Sequence, residues 1–218
     1  MEPGTDPRRV VLRRRRRLQP KFFNAVVADA RTTYFHSGQR FDSSNPVRSL
    51  IGILRLIWSS DGFLAQVIYR FGSRMYGLRV PLLPRIARGI TMTMAQLSIG
   101  DTVIVRPGVS ISHGYVVIAG LSEIRSGSLI APFVTIGLIA GDARGPTIGH
   151  FCTIGTGTRL LGPIQIGNRA KIGTNAVVVD DVPEGAVAVG VPARVVEGAG
   201  AQGDPAPLPG QGQNASGE

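Results

Sequence analysis

The second half of the chain carries an aliphatic residue at every sixth position. These positions are Ile118, Ile124, Ile130, Ile136, Ile148, Ile154, Leu160, Ile166, Ile172 and Val178. A helix places its apolar residues three or four apart and a half-buried strand places them two apart, so a period of six fits neither element alone. It does fit a coil with flat sides, in which each side contributes one inward residue and successive coils stack into one continuous core. The period therefore predicts an all-β solenoid of short parallel strands.

Two further positions of the repeat agree with such a coil. The fourth residue after each aliphatic position is mostly small or β-branched, which suits a tight corner. These residues are Ser122, Ser128, Val134, Cys152, Thr158, Ile164, Ala170, Ala176 and Val182. A glycine often follows the aliphatic residue directly, where a backbone without a Cβ turns at low cost. These glycines are Gly137, Gly149, Gly155, Gly167 and Gly173.

The repeat is interrupted at two places. An earlier stretch also keeps the period, but the step from Ile111 to Ile118 is seven residues instead of six. The extra residue lies among Ser112, His113, Gly114 and Tyr115. The second interruption is Asp142, a charged residue at an inward position, so that residues 137–147 are expected to leave the coil as a loop. Local departures from a consistent pattern are expected at functional sites.

Length and cysteine content set the outer bounds. With 218 residues, 43% of them hydrophobic, the chain is long enough to bury one substantial core. The single cysteine, Cys152, has no partner for an internal disulfide and holds a corner position, so we expect a packed side chain and a cytoplasmic location. The apolar stretch 22–28 is too short for a signal peptide. Because Arg55 and Asp61 divide the most hydrophobic region, no membrane-spanning segment is expected.

Much of the positive charge lies at the N-terminus. The formal net charge is +10, and seven arginines fall within the first seventeen residues; without them the charge would be +3. This distribution predicts a basic, solvated and disordered arm over residues 1–20. Nucleic-acid binding is not favoured, because the arm lacks interleaved aromatic residues and a recognised binding module. Contact with an anionic membrane surface, at its inner face, is the alternative role.

The remaining domain boundaries follow from changes in composition. Residues 21–90 show three amphipathic helical patterns, and the apolar stripe around Trp58 is expected to pack against the end of the coil rather than lie on a membrane. The solenoid is expected over residues 91–182, followed by a C-terminal extension over 183–196. Residues 197–218, rich in Gly, Pro, Ala and Gln, are predicted to be a disordered tail.

Three segments resemble the hexapeptide-repeat acetyltransferases, in their serine acetyltransferase-like branch. The segment KIGTNAVVVDDVPEGAVAVGVPARVV (Lys171 to Val196) resembles the C-terminal signature of that family, and ISHGYVVI (Ile111 to Ile118) resembles its active-site segment. GFLAQVIYRFGSRMY (Gly62 to Tyr76) resembles the helix before the coil. The resemblance implies a left-handed parallel β-helix, a hand that spacing alone does not give, since crossovers between parallel strands are normally right-handed. It also implies acetyl transfer from acetyl-CoA to a hydroxyl by a homotrimer.

His113 is the candidate catalytic residue. A hydroxyl that attacks a thioester must lose its proton, and a positioned imidazole is a suitable general base near neutral pH. By the same resemblance its neighbours Ser112, Gly114 and Tyr115 are candidates for binding the acceptor. Of the other two histidines, His150 is expected to be a structural residue at an outward or corner position. His36 lies in a polar N-terminal stretch without a partner motif. Three scattered histidines give no ligand cluster, so no metal is expected.

The resemblance places the acetyl-CoA site on the last coils. Candidate contacts to the pantetheine are Gly155, Gly157, Gly173 and Thr174. Candidate contacts to phosphate are Lys171, Arg169 and Arg194.

Two departures from the serine enzymes affect the acceptor. Ser112 stands where those enzymes have an aspartate, and Gly145 stands where they have a second histidine. Losing a carboxylate suited to an amino group makes serine a weaker candidate. The pattern resembles the colanic-acid and capsular polysaccharide O-acetyltransferases of the same branch more closely, because they have an HG motif and lack the second histidine. That resemblance implies a saccharide hydroxyl, as in exopolysaccharide or capsule precursors. Serine O-acetylation is the alternative. A non-catalytic β-helical trimer that uses a basic arm for avidity is the alternative of another class.

Overall fold

The computed structural model describes residues 7–42 and 45–196. Within these ranges five helices precede the coil, and the undescribed residues 43–44 lie between the second and the third. The helices are α1 (Pro7–Arg17), α2 (Phe22–His36), α3 (Pro46–Ser59), α4 (Asp61–Gly77) and α5 (Leu83–Ala95).

Fifteen short strands follow. In chain order they are β1 (Leu97–Ile99), β2 (Ile104–Val105), β3 (Ser110–Ile111), β4 (Val116–Ile118), β5 (Glu123–Ile124), β6 (Leu129–Ile130), β7 (Thr135–Gly137), β8 (Thr147–Ile148), β9 (Thr153–Ile154), β10 (Arg159–Leu161), β11 (Gln165–Ile166), β12 (Lys171–Ile172), β13 (Val177–Val178), β14 (Val187–Gly190) and β15 (Ala193–Val196). From β1 to β13 every third strand pairs in parallel, and β14 then pairs in parallel with β12. Three sheets result: sheet A is β1-β4-β7-β10-β13, sheet B is β2-β5-β8-β11, and sheet C is β3-β6-β9-β12-β14-β15. Strand β15 pairs antiparallel with β14 and ends the described coil.

The period of six forms the core as predicted. From Ile118 to Val178 the ladder residues are at most 3% exposed. In sheet A, Ile118 pairs with Ile99 on one side and with Ile136 on the other, so that inward side chains stack from coil to coil. The corner residues are buried too, including the hydroxyl side chains of Ser128 and Thr158. The loop expected around Asp142 leaves the coil between β7 and β8, and Asp142 pairs there with Arg144.

The corners that join sheet C to sheet A form a column along one edge of the prism, which we call the C–A edge. It consists of residues 112–115, 131–134, 155–158 and 173–176, one corner per coil. Each corner has one residue with a positive φ, between 58° and 74°. These residues are Tyr115, Phe133, Gly157 and Asn175.

The N-terminal arm differs from the prediction of disorder. Residues 7–17 form helix α1, which packs on the coil, while residues 1–6 lie outside the described part. Arg15 donates hydrogen bonds to the carbonyl oxygens of Thr102, Leu121 and Ser122. Just after the helix, the buried side chain of Gln19 donates to the carbonyl of Val103. Because backbone carbonyls of the coil bind these side chains, the arm is ordered against the prism, while Arg13, Arg14 and Arg17 stay exposed.

The helical region also differs in extent and packing. Three helices were predicted over residues 21–90, but the structure has a further one, α5, which runs to Ala95. The coil therefore begins at Leu97 instead of residue 91. The apolar stripe of α3 does not pack on the coil: Trp58 is 94% exposed, and Leu56 is the buried residue of this helix. At the other end, residues 187–196 continue sheet C as β14 and β15, and the predicted tail lies outside the described residues.

No single helix in the described ranges has the length and apolar character needed to cross a membrane. Helices α3 and α4 meet such criteria only when taken together, and they are bent by 113°.

Candidate active site

His113 lies on the C–A edge, at the corner with the extra residue. Two glycines let the helices close on this corner. A Cβ on Gly62, in the first turn of α4, would lie 3.1 Å from the Cα of His113. A Cβ on Gly114 would lie 1.6 Å from the carbonyl oxygen of Ala95 at the end of α5. The longer corner is therefore held between the start of one helix and the end of another.

A cavity of about 510 Å³ opens beside His113. Its walls come from the ends of α2 and α3, the start of α4, and strands β3 and β6. The lining residues are Thr33, Tyr34, His36, Ser37, Gln39, Arg55, Leu56, Ser59, Ser60, Ser110, Ser112, His113 and Leu129. Hydroxyl groups dominate this lining, which suits a small polar acceptor.

Two basic side chains of the cavity were not predicted as site residues from the sequence. His36, for which the sequence offered no partner motif, lies at the end of α2 in the same cavity as His113. By accessible surface His36 is exposed, but partial desolvation by neighbouring atoms lowers the pKa of its imidazole, and a hydrogen bond with the backbone at Gly127 opposes that shift. Arg55 projects from α3 into the lining. Neither residue belongs to a local motif. His36 reaches the cavity through the packing of α2 on the coil, and Arg55 through the packing of α3 on α2 and α4.

The three residues predicted to bind the acceptor lie in different surroundings. Ser112 lines the cavity beside His113. Gly114 is buried under α5 and has a packing role. Tyr115 faces outward and stacks on Phe133 of the next coil, with ring centroids 4.7 Å apart. Binding of the acceptor by these residues stays a prediction.

The predicted pantetheine residues share the edge of His113. Gly155 and Gly157 follow β9, and Gly173 and Thr174 follow β12, two and three coils below His113. With coils spaced like neighbouring strands, this puts them roughly 10 and 14 Å along the edge. Coil packing gives another reason for the glycines: a Cβ on Gly155 would lie 2.7 Å from the carbonyl oxygen of Ile172.

The predicted phosphate contacts are more dispersed. Lys171 belongs to β12 and leads into the C–A edge, whereas Arg169 lies before β12 at the corner between sheets B and C. Arg194 lies on β15, where its guanidinium is 3.4 Å from the carboxylate of Asp180. Contact of any of them with phosphate stays a prediction.

Other titratable side chains of the coil lie away from this site. Residue Cys152 is fully buried, and burial raises the pKa of its thiol to about 11, which is the opposite of an activated nucleophile. His150 lies at the corner between sheets B and C, and burial together with Arg125 lowers the pKa of its imidazole. Among the residues that the structure describes, no group of three or more His, Cys, Asp or Glu side chains could hold a metal.

Comparison with known proteins gives relatives that are serine acetyltransferases. A serine acetyltransferase of Synechococcus elongatus is 32% identical over 155 residues, 70% of this chain and 64% of the relative. A serine acetyltransferase of Helicobacter pylori is 32% identical over 139 residues, 62% of this chain and 81% of the relative. The chain thus spans a little under two thirds of the first relative's length. No family model matches the chain.

Solved structures agree. Soybean serine acetyltransferase complexed with serine has a TM-score of 0.69 and 28% identity, and the match covers 81% of this chain and 70% of that one. A serine acetyltransferase in complex with CoA has a TM-score of 0.66 and 26% identity, covering 86% of this chain and 75% of that one. The left-handed parallel β-helix after a helical region is thereby confirmed. With more than 30% identity to a relative that it covers by 81%, the chain belongs to the serine acetyltransferase family of hexapeptide-repeat acetyltransferases.

Proposed function

We propose that the protein transfers the acetyl group of acetyl-CoA to the hydroxyl of a small acceptor, with His113 as general base. The observation that carries the proposal is the cavity beside His113, at the one corner of the coil where the repeat is longer by a residue. The names of the relatives support the same reaction class.

The reaction needs few protein groups. The acceptor oxygen attacks the thioester carbonyl carbon while an imidazole nitrogen of His113 takes the hydroxyl proton. The tetrahedral intermediate then collapses: the carbon–sulfur bond breaks, and the CoA sulfur leaves with the proton from the imidazolium. Backbone N–H groups at the coil edge are suitable donors to the oxyanion that forms in between.

Acetyl-CoA would lie along the C–A edge below His113. Gly155, Gly157, Gly173 and Thr174 follow one another on that edge, and Lys171 leads into it. A solved relative at 26% identity carries CoA, which supports this co-substrate. Arg194 remains the candidate for phosphate at the far end of the coil.

For the acceptor, the comparisons favour serine over the saccharide that the sequence favoured. The solved soybean relative is complexed with serine, and the curated relatives above carry that name. No finding supports a saccharide. Serine is therefore the first acceptor to test, with sugars second.

The test follows thiol release from acetyl-CoA in the presence of serine. We expect His113→Asn to lower kcat by roughly 100-fold or more, because general base catalysis contributes about that much. His150→Asn is the matched control, since this imidazole lies at a different corner, and it should keep most of the activity. Unchanged turnover in a folded His113→Asn protein would rule out the mechanism and favour a non-catalytic scaffold.

We also propose a homotrimer in the cytoplasm that contacts the inner face of an anionic membrane. Residues 7–96 contain 17 Lys and Arg against 3 Asp, a formal charge of +14, and the rest of the chain is net acidic. Helix α3 adds an exposed apolar stripe. Its members are Val47, Leu50, Ile51, Leu54 and Trp58. Size-exclusion chromatography coupled to light scattering would measure the molar mass in solution and so test the trimer.

A further inference from the structure

The cavity beside His113 contains a cationic side chain and no carboxylate. Among the described residues that line it, Arg55 is the arginine, His36 and His113 are the histidines, and none is Asp or Glu. A ligand with a free ammonium group would therefore meet positive charge without a negative partner. A ligand with an anionic group would meet a guanidinium.

Arg55 is free to bind such a group. It makes no ion pair with any residue in 7–42 or 45–196, whereas Arg48, two turns earlier on α3, pairs with Asp42 at 3.0 Å. A guanidinium presents several N–H donors in a fixed plane, which matches carboxylate and phosphate oxygens.

The backbone at the end of α2 does not compensate for the missing carboxylate. The carbonyl oxygen of Thr33 accepts from both the backbone N–H and the hydroxyl of Ser37, at 3.0 and 2.9 Å. The carbonyl oxygen of Tyr34 accepts from the N–H of Gln39 at 2.9 Å. Each of these helix-end oxygens already accepts at least one hydrogen bond, which makes it a weaker partner for an ammonium group than a carboxylate would be.

We propose that the acceptor carries a carboxylate or phosphate group that Arg55 binds, and that an amino group takes no part in its recognition. The acceptor is thus a hydroxylated acid, and serine would qualify through its carboxylate alone. The inference rests on the proposed acetyl transfer at His113. It goes beyond the names of the relatives, because it predicts turnover of acceptors that have no nitrogen.

Three acceptors of similar size separate the possibilities, each measured by thiol release from acetyl-CoA. L-glycerate keeps the carboxylate of serine without the amine, serinol keeps the amine without the carboxylate, and glycerol 3-phosphate carries the phosphate alternative. We expect kcat/KM for the better of the two anionic acceptors to exceed that for serinol by about tenfold or more, the effect of one charged hydrogen bond. Serinol equal to or better than both anions would overturn the proposal.

Substitutions on α3 test the role of Arg55. We expect Arg55→Gln to raise KM for the anionic acceptor about tenfold while KM for acetyl-CoA is unchanged. Arg55→Lys should restore part of the loss, because it keeps the charge but not the planar fork. The control is Arg48→Gln, on the same helix but outside the cavity lining, which should leave both constants unchanged. Equal effects of the two glutamine substitutions would contradict a binding role for Arg55.

A binding measurement separates this inference from the proposed function. Calorimetric titration of L-glycerate, glycerol 3-phosphate and serinol into the full chain does not depend on turnover. An anion that binds the parent protein but not Arg55→Gln supports the inference even if acetyl transfer is absent. Absence of anion binding overturns the inference even if acetyl transfer requires His113.

Discussion

The carboxylate of Asp29 accepts two hydrogen bonds from the guanidinium of Arg70, at 2.7 and 3.0 Å, and both side chains are at most 2% exposed. The pair joins α2 to α4 and also anchors both helices on the coil. Asp29 accepts from the backbone N–H groups of Gly108 and Val109, and Arg70 donates to the carbonyl oxygens of Val105 and Arg106. Helices that shape the cavity are thereby fixed to the prism.

Removing the carboxylate should leave a buried arginine without its counter-charge. We expect Asp29→Asn to lower the free energy of unfolding by about 3–5 kcal/mol, the usual cost of breaking a buried pair. The control is Asp180→Asn in the exposed pair with Arg194, which should cost less than about 1 kcal/mol. Urea unfolding at one fixed protein concentration measures both. Equal losses would mean that burial of the Asp29 pair does not matter to stability.

The local sequence pattern predicted the coil and the longer corner that carries His113. The sequence alone did not predict how the helices pack on the coil. Ile111 and Ile118 reveal the extra residue beside His113, since both belong to one regular repeat. By contrast, Asp29 and Arg70 lie 41 positions apart, so nothing in the neighbourhood of either residue indicates its partner. Arg15 binds backbone carbonyl groups, which every residue has. The run of arginines therefore does not indicate that this one is held against the coil. Arg55 joins the cavity for the same reason, through tertiary packing.

Gly62 allows α4 to begin directly against the His113 corner. A methyl group there would lie 2.9 Å from the carbonyl oxygen of Ile111 and 3.1 Å from the Cα of His113, and both are backbone atoms that move only with the corner. We expect Gly62→Ala to cost about 1–3 kcal/mol of stability. We also expect it to lower kcat roughly tenfold or more, because catalysis is sensitive to small displacements of the base.

A second helical glycine provides the control for this substitution. A Cβ on Gly89 of α5 would meet nothing within 4 Å. Gly89→Ala should therefore raise the unfolding free energy by about 0.5–1 kcal/mol and leave kcat unchanged. If both alanine variants behave alike in thermal unfolding and in thiol release, close packing at Gly62 is not what positions His113.

The buried thiol of Cys152 predicts a pH dependence of stability. Burial raises its pKa to about 11, whereas an unfolded thiol titrates at about 8.5. Between those values the unfolded chain releases a proton that the folded chain retains, so the free energy of unfolding falls as pH rises. The thiol's share is at most about 1.4 kcal/mol per pH unit.

Comparison with Cys152→Ala isolates the contribution of the thiol to the pH dependence of the unfolding free energy. Urea unfolding at pH 8 and at pH 10 should show a smaller drop for the variant than for the parent protein. At pH 8 a thiol reagent should label the parent protein only after unfolding, because the folded thiol is protonated and enclosed. Equal drops in the two proteins, or rapid labelling of the folded chain, would contradict a buried neutral thiol.

Helix α3 offers a direct test of the proposed membrane contact, since Trp58 is the single tryptophan of the chain and is 94% exposed. Basic amphipathic surfaces with an aromatic residue bind anionic lipid surfaces through both charge and apolar burial. We therefore expect the fluorescence of Trp58 to shift to shorter wavelength with phosphatidylglycerol vesicles and not with phosphatidylcholine vesicles. High salt should weaken the shift. Leu54→Asp should abolish it, whereas Leu56→Val, a change at the buried face, should not. A shift that depends on protein concentration without vesicles would instead assign the stripe to contact between copies of the chain.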